Sequence, residues 1–199
     1  MSREQALAQA AGQAVTALRG VDLRARLERL GMPAPEGRPL PLRLFGQDAL
    51  LDLDDLQVRS AVAGTPVRPT DRVLLLHYLR HEGAVVPTDR LVSFREFPGG
   101  AFYVGPFRAR TVDPLVVHFG NDVAALRGRL SRFDTAPVAL GDLGARIHAF
   151  GALHVTLIYR CGDDELAPSA EVLFDAAALP VFGAEDAAVL ASRICLGLL

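Results

Sequence analysis

The residues best suited to chemistry concentrate in one stretch, Ser93-Phe94-Arg95-Glu96-Phe97-Pro98-Gly99-Gly100-Ala101-Phe102-Tyr103, continued by Phe107-Arg108-Ala109-Arg110. Three arginines fall within sixteen positions here, interleaved with aromatics. A guanidinium offers paired N–H donors to a carboxylate or phosphate, and aromatic faces that shield it from water strengthen the contact. Gly99 and Gly100 can take positive φ and let a ligand or another segment approach the backbone. The candidate ligand-binding set is therefore Arg95, Glu96, Gly99, Gly100, Tyr103, Arg108 and Arg110.

Two functions of different class fit this set. The preferred reading is a non-catalytic accessory module that holds a small anionic ligand or a protein partner. The alternative is an enzyme acting on an anionic small molecule. Glu96 or Asp175 would then be the general base, Arg95 and Arg108 charge clamps, and Tyr103 a proton donor. A general base needs a pKa near working pH, which burial of Glu96 among Phe94, Phe97 and Phe102 would supply. The same stretch also reads as a tight turn whose aromatics enter the core and whose Arg95 pairs with Glu96 or Asp175.

Other clusters carry less. His77 and His81 stand at i and i+4 on a predicted helix, sharing a face as a metal pair would, but no Glu follows the first His as a metalloprotease pattern requires. His118, His148 and His154 are isolated in sequence. Asp52, Asp54 and Asp55, like Asp163, Asp164 and Glu165, lack the alternating ligands and terminal Glu of a calcium loop, so both groups read as solvated turns. Cys161 and Cys195 are far apart and show no CxxC spacing. Neither a cysteine-ligated cluster nor a metal or cofactor is expected. The chain contains no Lys, which excludes a phosphate loop and reflects a GC-rich genome; no nucleophile elbow is present, and Gly99-Gly100 lacks dinucleotide-fingerprint spacing.

The elements that must position these residues follow from composition and periodicity. At 199 residues, 50% hydrophobic and 22% charged, the chain is expected to form a single domain over 1–199. A net charge of −2 creates no field to draw in nucleic acid. No run approaches the roughly 18 apolar residues of a membrane span. Met1 to Ala17 lacks the basic start and apolar core of a leader, so a cytoplasmic location is expected.

Ser2 to Leu18 and a short segment after Asp22 predict two helices, an N-terminal arm of about residues 1–32, with Ser2 and Gln5 as a capping box and Gly31 with Pro33 as the stop. Leu42–Phe45 and Ala49–Leu53 predict a hairpin turning through Gly46, Gln47 and Asp48. Thr70 and Asp71 are expected to cap a helix over Val73–His81. Ser93–Phe97 reads as a strand and Pro98-Gly99-Gly100 as a turn. A helix is expected within 121–133, strands over 146–150, 153–160 and 171–174, and a closing helix over 184–198. Regular strand–helix alternation is absent, so the expected class is α+β, with a mixed or antiparallel sheet packed against helices.

The run from Leu74 through Phe94-Arg95-Glu96-Phe97-Pro98-Gly99-Gly100 to Arg110, together with Glu171-Val172-Leu173-Phe174-Asp175 and the helix after it, resembles a bacterial and archaeal domain-of-unknown-function family. The resemblance covers about residues 73–198. It implies a late apolar-Phe-Asp segment paired in order with the aromatic-Arg-Glu-apolar-Pro-Gly-Gly segment. Some members are joined to cysteine-rich iron–sulfur modules in anaerobes, which implies a role near anaerobic cofactor metabolism. This chain has no such module, and the resemblance brings no activity with it.

Overall fold

Ser2 sets the first helix. Its Oγ accepts the Gln5 N–H at 3.2 Å while Gln5 Oε1 accepts the Ser2 N–H at 2.8 Å, so helix α1 (Arg3–Ala17) begins on the expected capping box. The computed structural model describes residues 2–199. Helix α2 (Leu23–Arg29) starts on Asp22, whose side chain accepts from the Ala25 N–H. It stops where Gly31 turns to φ +72° and the Met32 N–H donates back to the Leu27 carbonyl at 2.9 Å.

By internal packing the chain forms two compact units, residues 1–86 with 150–152, and residues 87–149 with 153–199. The class is the expected α+β, and both sheets are antiparallel where their register is defined.

The first unit holds α1, α2, the strands β1 (Leu40–Leu44), β2 (Gln47–Leu51) and β3 (Val58–Ser60), and helix α3 (Pro69–Arg80). Its sheet runs β1-β2-β3. The hairpin is tighter than its sequence suggests: Leu44 pairs with Gln47, leaving Phe45 and Gly46 as a two-residue turn at φ 50° and 75°. Those angles match the right-handed twist of a hairpin, and burial of the Phe45 ring edge-on to Phe150, 5.5 Å between centroids, offsets the strain of a positive φ at phenylalanine. Helix α3 also begins earlier than expected, with Pro69 in its first turn, where its missing N–H costs nothing; Thr70 and Asp71 lie inside the helix rather than capping it.

Tyr78 on α3 ties this unit together. Its hydroxyl donates to the Leu30 carbonyl at 2.5 Å and accepts the Ala152 N–H at 3.1 Å, and its ring meets Phe150 edge-on at 5.3 Å. Burial pushes the phenol up to about 12, although the Ala152 N–H favours the phenolate, so it stays neutral at physiological pH. Arg26 is buried without a carboxylate; its Nη1 donates instead to the Leu79, Arg80 and His81 carbonyls at the end of α3, where the helix dipole favours a cation.

The second unit is built on a five-stranded sheet ordered β4-β8-β7-β6-β5, from β4 (Leu91–Ser93), β5 (Thr135–Pro137), β6 (Leu143–Phe150), β7 (Leu153–Arg160) and β8 (Ser169–Asp175). Around it stand α4 (Val104–Arg110), α5 (Val112–Phe119), α6 (Val123–Arg129) and α7 (Ala184–Leu198), with α5 packing on β8 and against α7. Along β7, Val155, Leu157 and Tyr159 are fully buried, as are Val172 and Phe174 on β8. Residues 93–97 are not one strand. Strand β4 ends at Ser93, and Phe94–Glu96 forms a 3-10 turn closed by the Ser93 N–H donating to Glu96 Oε1 at 2.9 Å.

Tyr78→Phe removes the hydroxyl from between Leu30 and Ala152 while keeping the ring. Loss of two buried hydrogen bonds is expected to destabilise the protein by about 1–3 kcal/mol. Chemical denaturation should show a lower midpoint than wild type; an unchanged midpoint would show that the hydroxyl carries no stability.

Candidate functional site

Four phenylalanines lie beneath the Arg- and Gly-rich stretch. Phe94 stacks on Phe107 with centroids 4.1 Å apart and planes at 5°. Phe97 meets Phe174 edge-on at 5.0 Å, and Phe107 lies 6.5 Å from Phe174. All four are buried. Strand register brings the last of them into place: β4 pairs with β8 so that Val92 faces Phe174, and the two segments that are far apart in sequence meet here.

Two glycines make the corner above this cluster. Gly99 takes φ +79°, and Gly100 opens a second 3-10 turn, Gly100–Tyr103, with its N–H donating to the Phe97 carbonyl at 2.8 Å. A Cβ on Gly100 would sit 2.1 Å from the Phe94 carbonyl oxygen and 3.6 Å from the Arg95 Cα, so only glycine lets the second turn lie against the first. Helix α4 follows at once, and its Phe107 returns to the cluster. Two signals could have found these helices: Val112, Leu115, Val116 and Phe119 recur at helical spacing, and Pro106 and Pro114 each fall in a helix's first turn.

The burial that the stretch could give its aromatics is divided. Phe94, Phe97 and Phe107 go inward, whereas Phe102 is 88% and Tyr103 59% exposed. Ordinary surface turns are polar, so adjacent exposed aromatics on a held turn stand out.

The charged members are arranged as follows. Glu96 closes the turn at Ser93 and pairs with Arg90 at 3.4 Å; its side chain is 44% exposed, and Phe102 points away from any shared burial. The apolar enclosure that would suit Glu96 to general-base work is therefore not formed. Arg108 pairs with Asp113 at 3.0 Å, with both side chains about half exposed. Arg110 Nε donates to the Pro106 carbonyl at 3.1 Å. Arg95 is exposed, and among the described residues no carboxylate pairs with it: Glu96 engages Arg90, and Asp175 engages Thr88, Asp89 and Ala177.

Asp175 has its oxygens taken. They accept the Thr88 N–H at 3.0 Å, the Thr88 hydroxyl at 2.9 Å, the Asp89 N–H at 3.1 Å and the Ala177 N–H at 2.8 Å. Burial works to raise its pKa, but the combined bonds from Ala177, Thr88 and Asp89 outweigh it and hold the carboxyl below its ordinary value. A carboxylate so committed fixes the strand end and the 87–90 segment rather than offering a base to a substrate.

Elsewhere the histidines differ from their sequence reading. His148 and His154 are brought together on β6 and β7 with ring centroids 5.1 Å apart, a pairing visible only once the hairpin register is known. Among the described residues no group of three or more His, Cys, Asp or Glu is arranged to hold a metal ion. Burial pushes the Cys195 thiol up to about 12, far from nucleophilic use. Asp163 turns on itself, accepting from Glu165 and Leu166, as a solvated turn does. No helix among the described residues is long and apolar enough to cross a membrane.

Fold and site together define an α+β protein with a glycine corner, packed on buried phenylalanines, that bears the two exposed aromatics Phe102 and Tyr103. Residues 22–196 match the family described as a domain of unknown function (DUF3786), and the chain belongs to that family. The match reaches back through α2 and α3, beyond the 73–198 region that carries the resemblance in sequence. No curated protein and no solved structure matches the chain.

Asp175→Asn keeps the shape of the side chain but gives up its charge and one acceptor. A loss of about 1–3 kcal/mol is expected at neutral pH. Because the folded pKa is depressed, the carboxylate's contribution is complete above the unfolded value of about 4 and disappears as pH falls through the folded value. Urea midpoints should therefore differ between wild type and Asp175→Asn at pH 7 and converge in acid. Equal midpoints at pH 7 would contradict the structural role.

Proposed function

We propose that this chain is a non-catalytic binding module that acts through the corner formed by Arg95, Gly99, Gly100, Phe102 and Tyr103. The observation that carries the reading is the exposure of Phe102 and Tyr103 on a turn whose backbone is pinned by Gly100 against Phe94 and by the buried phenylalanine cluster. Aromatic and arginine side chains dominate binding energy at protein interfaces, and a contact surface held in place before binding loses less entropy on association.

The candidate catalytic groups support binding over chemistry. Glu96 is half exposed and paired, Asp175 is consumed by four donors, and Tyr103 stands largely in solvent. A small anion held by Arg95, Arg108 and Arg110 finds less support, because Arg108 engages Asp113 and Arg110 engages its own helix. The iron–sulfur modules that the resemblance implies for some members fit an accessory role beside anaerobic cofactor metabolism.

A photoreactive phenylalanine analogue at position 102, expressed in the protein's own cells, tests the reading. The expected outcome is a discrete crosslinked species from position 102 and none from the same analogue at Val62, which is equally exposed in the first unit. Identical crosslinking from both positions, or none from 102, would contradict it.

A further inference from the structure

The charges around the corner narrow what binds there. From Arg90 to Asp113 the sequence has four arginines, Arg90, Arg95, Arg108 and Arg110, against two carboxylates, Glu96 and Asp113. Each carboxylate is matched to one arginine, Glu96 to Arg90 and Asp113 to Arg108. Among the described residues Arg95 and Arg110 are left without a carboxylate, in a chain whose net charge is −2. The segment from Arg90 to Asp113 thus carries four positive side chains against two negative ones, beside exposed aromatic surface.

Arg95 is the better placed of the two. Its Cα lies 3.6 Å from where a Gly100 Cβ would stand, so the backbone that carries Phe102 and Tyr103 is in contact with the backbone that carries Arg95. Phe94 before Arg95 is locked in the stack with Phe107, which fixes the point from which the guanidinium extends. A guanidinium whose backbone lies against the turn that carries the rings can recognise a carboxylate by a paired hydrogen bond and leave the rings for apolar side chains.

Resting on the reading of this corner as a docking surface, we propose that its partner is an acidic protein segment, one in which Asp or Glu side chains alternate with apolar residues. A carboxylate of that segment pairs with Arg95, and its apolar side chains cover Phe102 and Tyr103. A polynucleotide fits less well. Its affinity comes from neutralising many phosphates along a basic track, and the 90–113 segment offers only Arg95 and Arg110 outside its ion pairs, in a chain of net charge −2. An inorganic anion would satisfy Arg95 but leave both aromatics uncovered.

The test uses the intact chain and a short synthetic peptide alternating Glu and Leu, followed by amide NMR, with an alternating Lys and Leu peptide, inorganic phosphate and a single-stranded DNA oligomer as comparisons. The Glu peptide is expected to shift the amide signals of Arg95, Gly100, Phe102 and Tyr103. Its affinity should fall about tenfold or more in Arg95→Ala and in Phe102→Ala. Raising salt should weaken it as well, since screening acts on exposed pairs. Arg59→Ala removes the same charge from an exposed position on β3 and should leave the affinity as it was. Thermal melts of the three variants, expected to match wild type, separate lost binding from lost folding.

Equal binding of the Glu and Lys peptides, or an affinity that Arg95→Ala leaves unchanged, overturns the acidic partner while keeping an apolar docking corner. Phosphate shifting the same amides as strongly as the Glu peptide replaces the partner by a small anion, and tighter binding of the DNA replaces it by nucleic acid. Self-association that the Phe102→Ala variant abolishes makes the occupant a second copy. Shifts confined to other surfaces, with no crosslink from position 102, remove the docking corner itself.

Discussion

The parallel stack of Phe94 on Phe107 is the contact on which the rest of the candidate site depends. At 4.1 Å it joins the first 3-10 turn to helix α4, and everything between the two rings, from Arg95 to Pro106, must fold back on itself to close that gap. The reversal needs a backbone without side chains at its tightest point, which is why Gly100 lies against the Phe94 carbonyl. Phe97 and Phe174 complete the cluster from below, and β8 brings Phe174 there by pairing with β4. Once the inward positions are taken by these four rings, no buried place remains for Phe102 and Tyr103 on the same short turn. Their exposure follows from the packing beneath them.

The carboxylates around the corner all hold structure. Glu96 closes its own turn and pairs with Arg90, Asp113 pairs with Arg108 beside the start of α5, and Asp175 collects donors from Thr88, Asp89 and Ala177. Asp89 in turn sits at φ 56° and lies 3.5 Å from Arg146, so Asp175 holds a strained segment by its backbone. With these acids so engaged, the charge left outside an ion pair between Arg90 and Asp113 is positive, which is what the proposed acidic partner requires.

How much of this was legible in the sequence depends on how local each signal is. Caps and stops were readable because they act within four residues: Ser2 with Gln5, Asp22 and Gly31 all behave as their types require. The closing helix and the paired strands 146–150 and 153–160 showed their period directly. Boundaries failed where a side-chain bond outcompeted propensity. The aromatic, strand-like Phe94–Phe97 became a turn because Glu96 returns to the Ser93 N–H, and Phe45 entered a turn because its ring could still reach Phe150. Helices α4 and α5 were hidden by glycine and proline that elsewhere mark loops, although prolines in a first turn also begin helices. Within the candidate site the residue types were visible but their division was not. Which aromatics face inward, which arginines find acids, and the meeting of His148 with His154 all depend on contacts between distant segments.

The proposed role requires Phe102 and Tyr103 to be presented to solvent on a rigid support rather than on a mobile loop. Backbone 15N order parameters for Gly99 to Tyr103, measured in the free protein beside those of β7 and β8, test it most directly. Values near those of the strands, about 0.85, are expected, because the turn is held by Gly100 and the phenylalanine cluster. Values below about 0.6 across this segment, with the strands remaining high, would show a flexible loop and contradict it.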